Sequence, residues 1–425
     1  MGDYLYALDL SSIRICPYAP GHASIMGWFE EKVPVDGQKG IEVDLCPRTI
    51  LRRLVEYVVR FLSSSSKVTG QLFFFFLSFF THSNAKQISG VEFLVGFETE
   101  FILLKSTNPI EAVNPHGWSN SPALASGTKE AQVLDEVAKA LRKSGIELQM
   151  YHAEAAPGQY EVVTAPLPPL QAVDALIHTR ETIYNVASKH GLRATLAPRV
   201  FQDNSMSFFS FFFRVHSTII CVQAGSGAHV HISVHAQHEI PRPSTHPNLT
   251  DLEATFLAGV LDHLAALTLL ILPTTTSYQR MMDGVWSGGT YICWGTDNRE
   301  APLRLCNAYS PSSRNFELKT LDGTANPYLA LAGILGAGFE GILESKELTI
   351  QDCSGSKPAA LMGEKGRAEL GIKERFPLTW EDARVKFEKS VMVDSLFGSD
   401  FKTKYLSVNK VFFLNFLLDF YSNFL

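Results

Sequence analysis

Apolar residues recur at two different periods along this chain, and the switch between them marks out its elements. In TKEAQVLDEVAKALRKS (128–144), Val133, Leu134, Val137, Ala138 and Leu141 fall on one stripe at helical spacing, and Gly145 is placed to stop the helix. A second helix is predicted from about Pro169 to His190, closing at Gly191. A third, NPYLALAGILGAGFEGIL (326–343), starts with Asn as N-cap and Pro at the first helical position, and is apolar enough to be buried. Strands are predicted at VEFLVGFETEFILL (91–104), YEVVTA (160–165), AHVHISVH (228–235) and RNFELKTL (314–321). Strands and helices therefore interleave.

Three segments break the pattern: LSSSSKVTGQLFFFFLSFFTHSNAKQ near 62–89, QDNSMSFFSFFFRVHSTIICVQ near 202–223, and the tail containing VFFLNFLLDFYSNFL within 401–425. Each is rich in Phe, Ser and Leu and follows neither period. Pyrimidine-rich codons encode these residues, and pyrimidine tracts precede splice acceptor sites. The first two segments thus carry the hypothesis of translated introns, with buried aromatic strands or a surface insert as the alternative. The chain divides into an N-terminal region (1–61), a foreign insert (62–89), a main domain (90–400) interrupted at 202–223, and an atypical apolar tail (401–425).

With 425 residues, 46% of them apolar, the chain can bury a substantial core. The 37 basic and 43 acidic residues leave a net charge of -6 without a basic block, which predicts no nucleic-acid partner. The six cysteines form no CxxC pair, favouring free thiols in a reducing compartment, and the N-terminus lacks a leader-like pattern, so a cytoplasmic location is expected. Asp262 and His263 interrupt the longest apolar run, TFLAGVLDHLAALTLLIL, so no membrane span is expected.

The polar residues in the predicted strands carry the candidate chemistry. Alternation places Glu98 and Glu100 on one face of GFETEF, and His229, His231, Ser233 and His235 on one face of AHVHISVH. In HAEAAPGQYEVV, Glu154 and Glu161 flank a Pro-Gly turn that can fold them toward one point, while Glu317 and Lys319 share a face of FELK. Taken singly these are ordinary strand features. Five strand-borne carboxylates with histidine form an oxygen-rich set suited to Mg2+ or Mn2+, whereas HxH alone also suits a zinc site of three histidines. Arg280, Arg299 and Arg304 form a cationic group able to grip phosphate or carboxylate, or else surface ion pairs. There is no GxxxxGK[ST] motif, and GSG at 225–227 is too short for a dinucleotide loop.

Read together and in order, VGFETEFILL, HAEAAPGQYEV, AGSGAHVHISV, SYQR, DNREAPLR and FELKTLDGTANPYLALAGILGAG resemble the glutamine synthetase family, in its class I-type, fungal and FluG-like branch. The resemblance implies an α+β catalytic domain, a curved antiparallel sheet with flanking helices, preceded by a truncated β-grasp-like N-terminal domain. It implies two divalent cations, Mg2+ or Mn2+: one held by Glu100, Glu154 and Glu161, the other by Glu98, His229 and Glu317. By the same resemblance Gly225, Arg280 and Lys319 bind L-glutamate, and His231, Ser233 and Arg304 bind the nucleotide. Arg299 and Arg280 act in catalysis. The activity implied is ATP-dependent joining of glutamate to ammonia or an amine through a γ-glutamyl phosphate, in a homo-oligomer that resembles the family's dodecamer.

Four departures bear on the acceptor. Trp286 stands where ammonia-using members carry a catalytic glutamate, Lys319 replaces a usual arginine, and Asn315 replaces another, with Arg314 beside it as candidate substitute. The aspartate of the ammonium site has no match in the shortened N-terminal region. A polyamine or other amine ligase, and a non-catalytic developmental or structural homologue, are therefore the alternatives to a true glutamine synthetase. For the insert hypothesis, the expected outcome is a mature message without the codons for 62–87 and 202–223; cDNA retaining both tracts would refute it.

Overall fold

The structure is a computed structural model that describes residues 3–35, 37–61, 90–116, 121–200, 225–236, 246–284, 287–355 and 357–422. Both internal Phe- and Ser-rich segments, and Trp286, lie outside the described residues. At the N-terminus β1 (Tyr4–Leu8) pairs antiparallel with β4 (Gly27–Glu31), and between them β2 (Arg14–Ile15) pairs with β3 (Ala23–Ser24). Helix α1 (Pro47–Phe61) then places Leu51, Leu54 and Val58 in the main core.

The central sheet contains β5 (Val91–Thr107), β6 (Ile110–Ala112), β7 (Leu148–Ala153), β8 (Gln159–Thr164), β9 (Arg193–Thr195), β10 (Val230–Ala236), β11 (Trp294–Thr296), β12 (Leu303–Cys306) and β13 (Asn315–Leu318). Its order is β11-β12-β13-β10-β5-β8-β7, with β6 and β9 also pairing with β5. The expected antiparallel arrangement needs one correction: β11 and β12 run parallel, while the other pairs are antiparallel. Strand β5 is the spine, because Phe93, Val95 and Phe97 enter one core cluster and Phe101 and Leu103 a second.

The helices expected from capping residues form where the sequence places them. Thr128 caps α2 (Lys129–Lys143) by accepting from Ala131 N, and Asn326 caps α5 (Pro327–Glu344) by accepting from Tyr328 N and Leu329 N. Between them lie α3 (Pro169–Lys189) and α4 (Asp251–Ile271), the latter opened by a reciprocal capping box of Thr250 and Glu253. The apolar stretch interrupted by Asp262 and His263 is, as α4, long and apolar enough to cross a membrane, contrary to the expectation from its charges; most of it is buried inside the fold. It packs on α5 through glycine: a Cβ on Gly259 would sit 2.3 Å from Ala337 O, and one on Gly341 2.3 Å from Thr255 O. Only glycine permits that approach. The chain closes with α6 (Trp380–Lys389), α7 (Val391–Phe397) and α8 (Ser399–Ser422), so the tail without clear periodicity is helical.

Two buried polar networks fasten the N-terminal region to this body. Arg48 on α1 donates to Asp174 on α3 at 3.0 and 2.8 Å and to Asp9 at 2.6 Å, and Tyr328 on α5 donates to Asp174 at 2.6 Å. Truncating one member would leave a charge buried and uncompensated. Nearby, the buried His178 ring bridges Ser24 Oγ (2.8 Å) and Ser144 Oγ (3.0 Å). Burial, helped by Arg14, pushes its pKa down from 6.5 to about 4. Between those values the unfolded chain binds more protons, so His178 favours folding above about pH 6.5 and that contribution is lost as pH falls toward 4. Urea denaturation at pH 7 and pH 5 should show a loss smaller by about 2 kcal/mol in His178→Gln than in the parent. Equal losses would rule out a neutral buried imidazole.

Candidate metal centre

Strand register gathers the chemistry onto one face. Directly opposed residues on neighbouring strands project to the same side of a sheet. Arg304 on β12 opposes Glu317 on β13, which opposes His231 on β10. Further across, Glu100 on β5 opposes Glu161 on β8, which opposes His152 on β7. Glu98 shares the face of Glu100, and His229 reaches the same row from the residue before β10, where its carbonyl accepts from Glu98 N at 3.0 Å. Glu154 follows β7 directly; its N–H donates to Gln159 O at 2.8 Å and closes the turn. That turn needs Gly158, which has φ +67° and sits where a Cβ would lie 2.9 Å from Leu103 O.

Among the described residues, three groups of side chains place nitrogen or carboxylate ligand atoms within 4.8 Å of one another: Glu98, His229 and Glu317; Glu100, Glu161 and His229; His152, Glu154 and Glu161. The expected set Glu98, His229 and Glu317 therefore comes together as one group. The members of the other expected set fall in two groups that share Glu161: Glu100 with Glu161 and His229, and Glu154 with Glu161 and His152. Each group offers the nitrogen and oxygen donors that a divalent cation takes.

Charge is balanced unevenly along this row. Burial would raise the Glu98 carboxyl, but His229 Nδ1 at 2.7 Å and His231 Nε2 at 2.9 Å hold it well below the usual carboxylate range. Burial opposes ionisation of Glu317 as well, yet Lys319 at 3.0 Å and His229 bring it down to about 2; Arg304 lies 3.0 Å from its other oxygen. At the opposite end burial dominates. It lifts Glu161 to about 7, and with the Glu100 charge it raises Glu154. His152, 3.2 Å from Glu161, is raised to about 9 by that hydrogen bond. The β13 end thus carries its own counter-charges, and the β8 end is short of positive charge.

Arg280 lies behind His229, fully buried, with Nη2 donating to Lys319 O at 2.9 Å and lying 3.1 Å from His229 Nε2. Its Nε and Nη1 have no hydrogen-bond partner among the described residues. Buried guanidinium donors without partners are costly, and an anionic ligand would satisfy them. The GSG turn packs on this arginine: a Cβ on Gly225 would lie 2.2 Å from Pro198 O and 3.2 Å from Arg280 Cγ. Gly227 N and Gln159 Nε2 both donate to Glu100 Oε2 at 2.8 Å.

Other expected residues fall elsewhere. Ser233 bonds to His235 at 2.8 Å, and His235 is exposed, so β10 does not assemble three histidines into a zinc site. His231 turns its Nδ1 to Asn315 at 2.8 Å and its Nε2 to Glu98. Arg299 is exposed on the loop between β11 and β12. Arg314 cannot substitute for the arginine replaced by Asn315: its guanidinium is committed to Glu253 at 2.8 and 2.7 Å, under the capping box of α4. Sequence reasoning passed over His152 and Gln159. The period-two signal for His152 was present, since it stands two residues before Glu154.

The sequence pattern of the family described as glutamine synthetase, catalytic domain, matches residues 81–209 and 216–415. Protein fluG of Emericella nidulans is 33% identical over 400 residues, covering 91% of this chain and 37% of fluG. The chain thus spans little more than a third of that relative. Gamma-glutamylpolyamine synthetase GlnA3 of Streptomyces coelicolor is 27% identical, covering 93% of this chain and 74% of GlnA3. A solved GmaS/ADP complex shares the fold, with a TM-score of 0.72 at 20% identity, covering 96% of this chain and 81% of its own.

The tight turn makes Gly227 a sensitive position, because an added Cβ would lie 2.5 Å from His229 Nε2 and 2.6 Å from Arg280 Nη2. Gly227→Ala is expected to destabilise the fold by about 1–3 kcal/mol in urea denaturation through overpacking. An unchanged midpoint would show that the turn has room.

Proposed function

Because the chain belongs to the glutamine synthetase family, we propose that it is an ATP-dependent ligase that activates L-glutamate as a γ-glutamyl phosphate and passes the glutamyl group to ammonia or an amine. The observation that carries this reading is the row of ligand groups with Arg280 behind His229, its buried Nε and Nη1 without hydrogen-bond partners among the described residues. Phosphoryl transfer is chiefly a matter of positioning and charge neutralisation, and these residues are arranged for both.

Glu98, His229 and Glu317 would hold one divalent cation, and Glu100, Glu161 and Glu154 a second, either Mg2+ or Mn2+. Bound there, such ions supply Lewis-acid neutralisation of phosphate oxygens. Arg280 receives the glutamate carboxylate on its free donors, and Gly225 lets the ligand backbone approach. Lys319 keeps Glu317 ionised. Arg304, 3.0 Å from Glu317, and Arg299, on its exposed loop, would accompany the transferred phosphate, while His231 and Ser233, on β10, would meet the nucleotide.

A larger amine is the favoured acceptor. Trp286 can neither take up an ammonium proton nor cover an acyl phosphate with charge, and one relative bears the name gamma-glutamylpolyamine synthetase. The half-exposed Tyr4, Leu5, Tyr6 and Leu8 of β1 support a homo-oligomer, for which light scattering is the direct test; a monomer at all concentrations would count against it.

Phosphate release from ATP on the full chain, with glutamate and a panel of ammonia, hydroxylamine, polyamines and aromatic amines, tests the activity. Polyamine or aromatic amine stimulation above that by ammonia is expected, and response to no amine would favour a non-catalytic homologue. Glu317→Ala should lower glutamate-dependent phosphate release by at least about 100-fold. Unchanged release would remove Glu317 from the metal centre.

A further inference from the structure

The outer end of the carboxylate row holds a histidine that the reading above does not use. His152 and Glu161 are direct cross-strand partners, so their side chains share the face on which the other ligands lie. His152 Nε2 is 3.2 Å from Glu161 Oε1, while Nδ1 lies 3.1 Å from Ala153 O, to which it donates, so Nε2 is the nitrogen left for a cation. Donors about 2.1–2.2 Å from one cation and at right angles to each other are separated by about 3 Å, which the Nε2–Glu161 spacing suits, and one ligand atom from each of His152, Glu154 and Glu161 lies within 4.8 Å of the other two. The His152 and Glu154 side chains are 40% and 29% exposed against 6% for Glu161, which leaves an approach from solvent. No Lys or Arg forms an ion pair with Glu154 or Glu161 among the described residues, whereas Glu317 has both Arg304 and Lys319. Among the described residues, the end without a Lys or Arg counter-charge is the end where an imidazole stands beside two carboxylates.

We propose that His152 is a direct ligand of the cation held by Glu161 and Glu154, and that its nitrogen makes this position favour Mn2+ over Mg2+. The inference rests on the metal centre proposed above and adds a selectivity to it. Mg2+ keeps to oxygen donors and surrenders water reluctantly, so replacing one oxygen position by imidazole penalises it; Mn2+ accepts the nitrogen more readily. A His152 that only steadied Glu161 from outside would favour both ions alike.

Calorimetric titration of the full chain with Mn2+ alone and with Mg2+ alone, without nucleotide, separates these cases. In His152→Gln, which retains hydrogen-bonding capacity, Mn2+ affinity at one site should fall by about tenfold while Mg2+ affinity changes by less than about threefold. His152→Ala should behave alike, with far-ultraviolet circular dichroism confirming the fold. Electron spin-echo spectroscopy of bound Mn2+ should show nitrogen coupling from two histidines in the parent, one set lost in His152→Gln and the other in His229→Gln. Parallel losses of Mn2+ and Mg2+, or nitrogen coupling unaltered in His152→Gln, would overturn the proposal while leaving the metal centre standing. A parent chain that binds neither ion would overturn both.

Discussion

Like-charge repulsion across β13, β10, β5 and β8 is the constraint around which the sheet is organised. Glu317, Glu98, Glu100 and Glu161 occupy one face, and Glu100 and Glu161 oppose each other across neighbouring strands. Such an arrangement destabilises a sheet unless positive charge or directed hydrogen bonds meet it. At the β13 end the chain supplies these itself through Arg304, Lys319, His229 and His231. In the middle, Gly227 N–H and Gln159 donate to Glu100. At the β8 end histidine is the one counter-charge among the described residues, and burial there favours protonated carboxyls. The unbalanced end is the part of the row with most to gain from an added cation.

Much of the remaining structure holds this face still. The spine strand β5 enters both large core clusters, so its glutamates project from a backbone fixed by Phe93, Val95, Phe97, Phe101 and Leu103. Behind it α4 and α5 approach through Gly259 and Gly341 until their backbones touch. Sites carried on strands are positioned more closely than sites on loops. Arg299, expected to act on the substrate rather than the metal, departs from this pattern and lies on an exposed loop.

A shared lever links substrate and metal readings. Arg280 Nη2 contacts both His229 and the carbonyl of Lys319, so the group that would grip glutamate also orients one ligand and the strand end carrying the counter-charge to Glu317. Displacing the guanidinium would disturb all three. Glycines at 225 and 227 are therefore as tightly specified as the charged residues they touch.

Local chemistry fixed a great deal in advance. Asn326 starts its helix at the expected residue because capping is decided within a few positions, and period-two alternation placed Glu98 with Glu100 and His229 with His231 because strand geometry leaves no other choice. Ordered motifs identified the family for the same reason: its ligands sit on short, self-contained strands and turns. Pairing across the sheet was not legible. Whether Glu161 meets His152, whether Arg314 turns to the metal row or to Glu253, and whether β11 runs parallel to β12 depend on register and on which buried charge finds which partner. Sequence determined which residues share a face of one strand; tertiary structure decided which strands adjoin, and so which carboxylates keep a protein counter-charge and which are left for a metal ion.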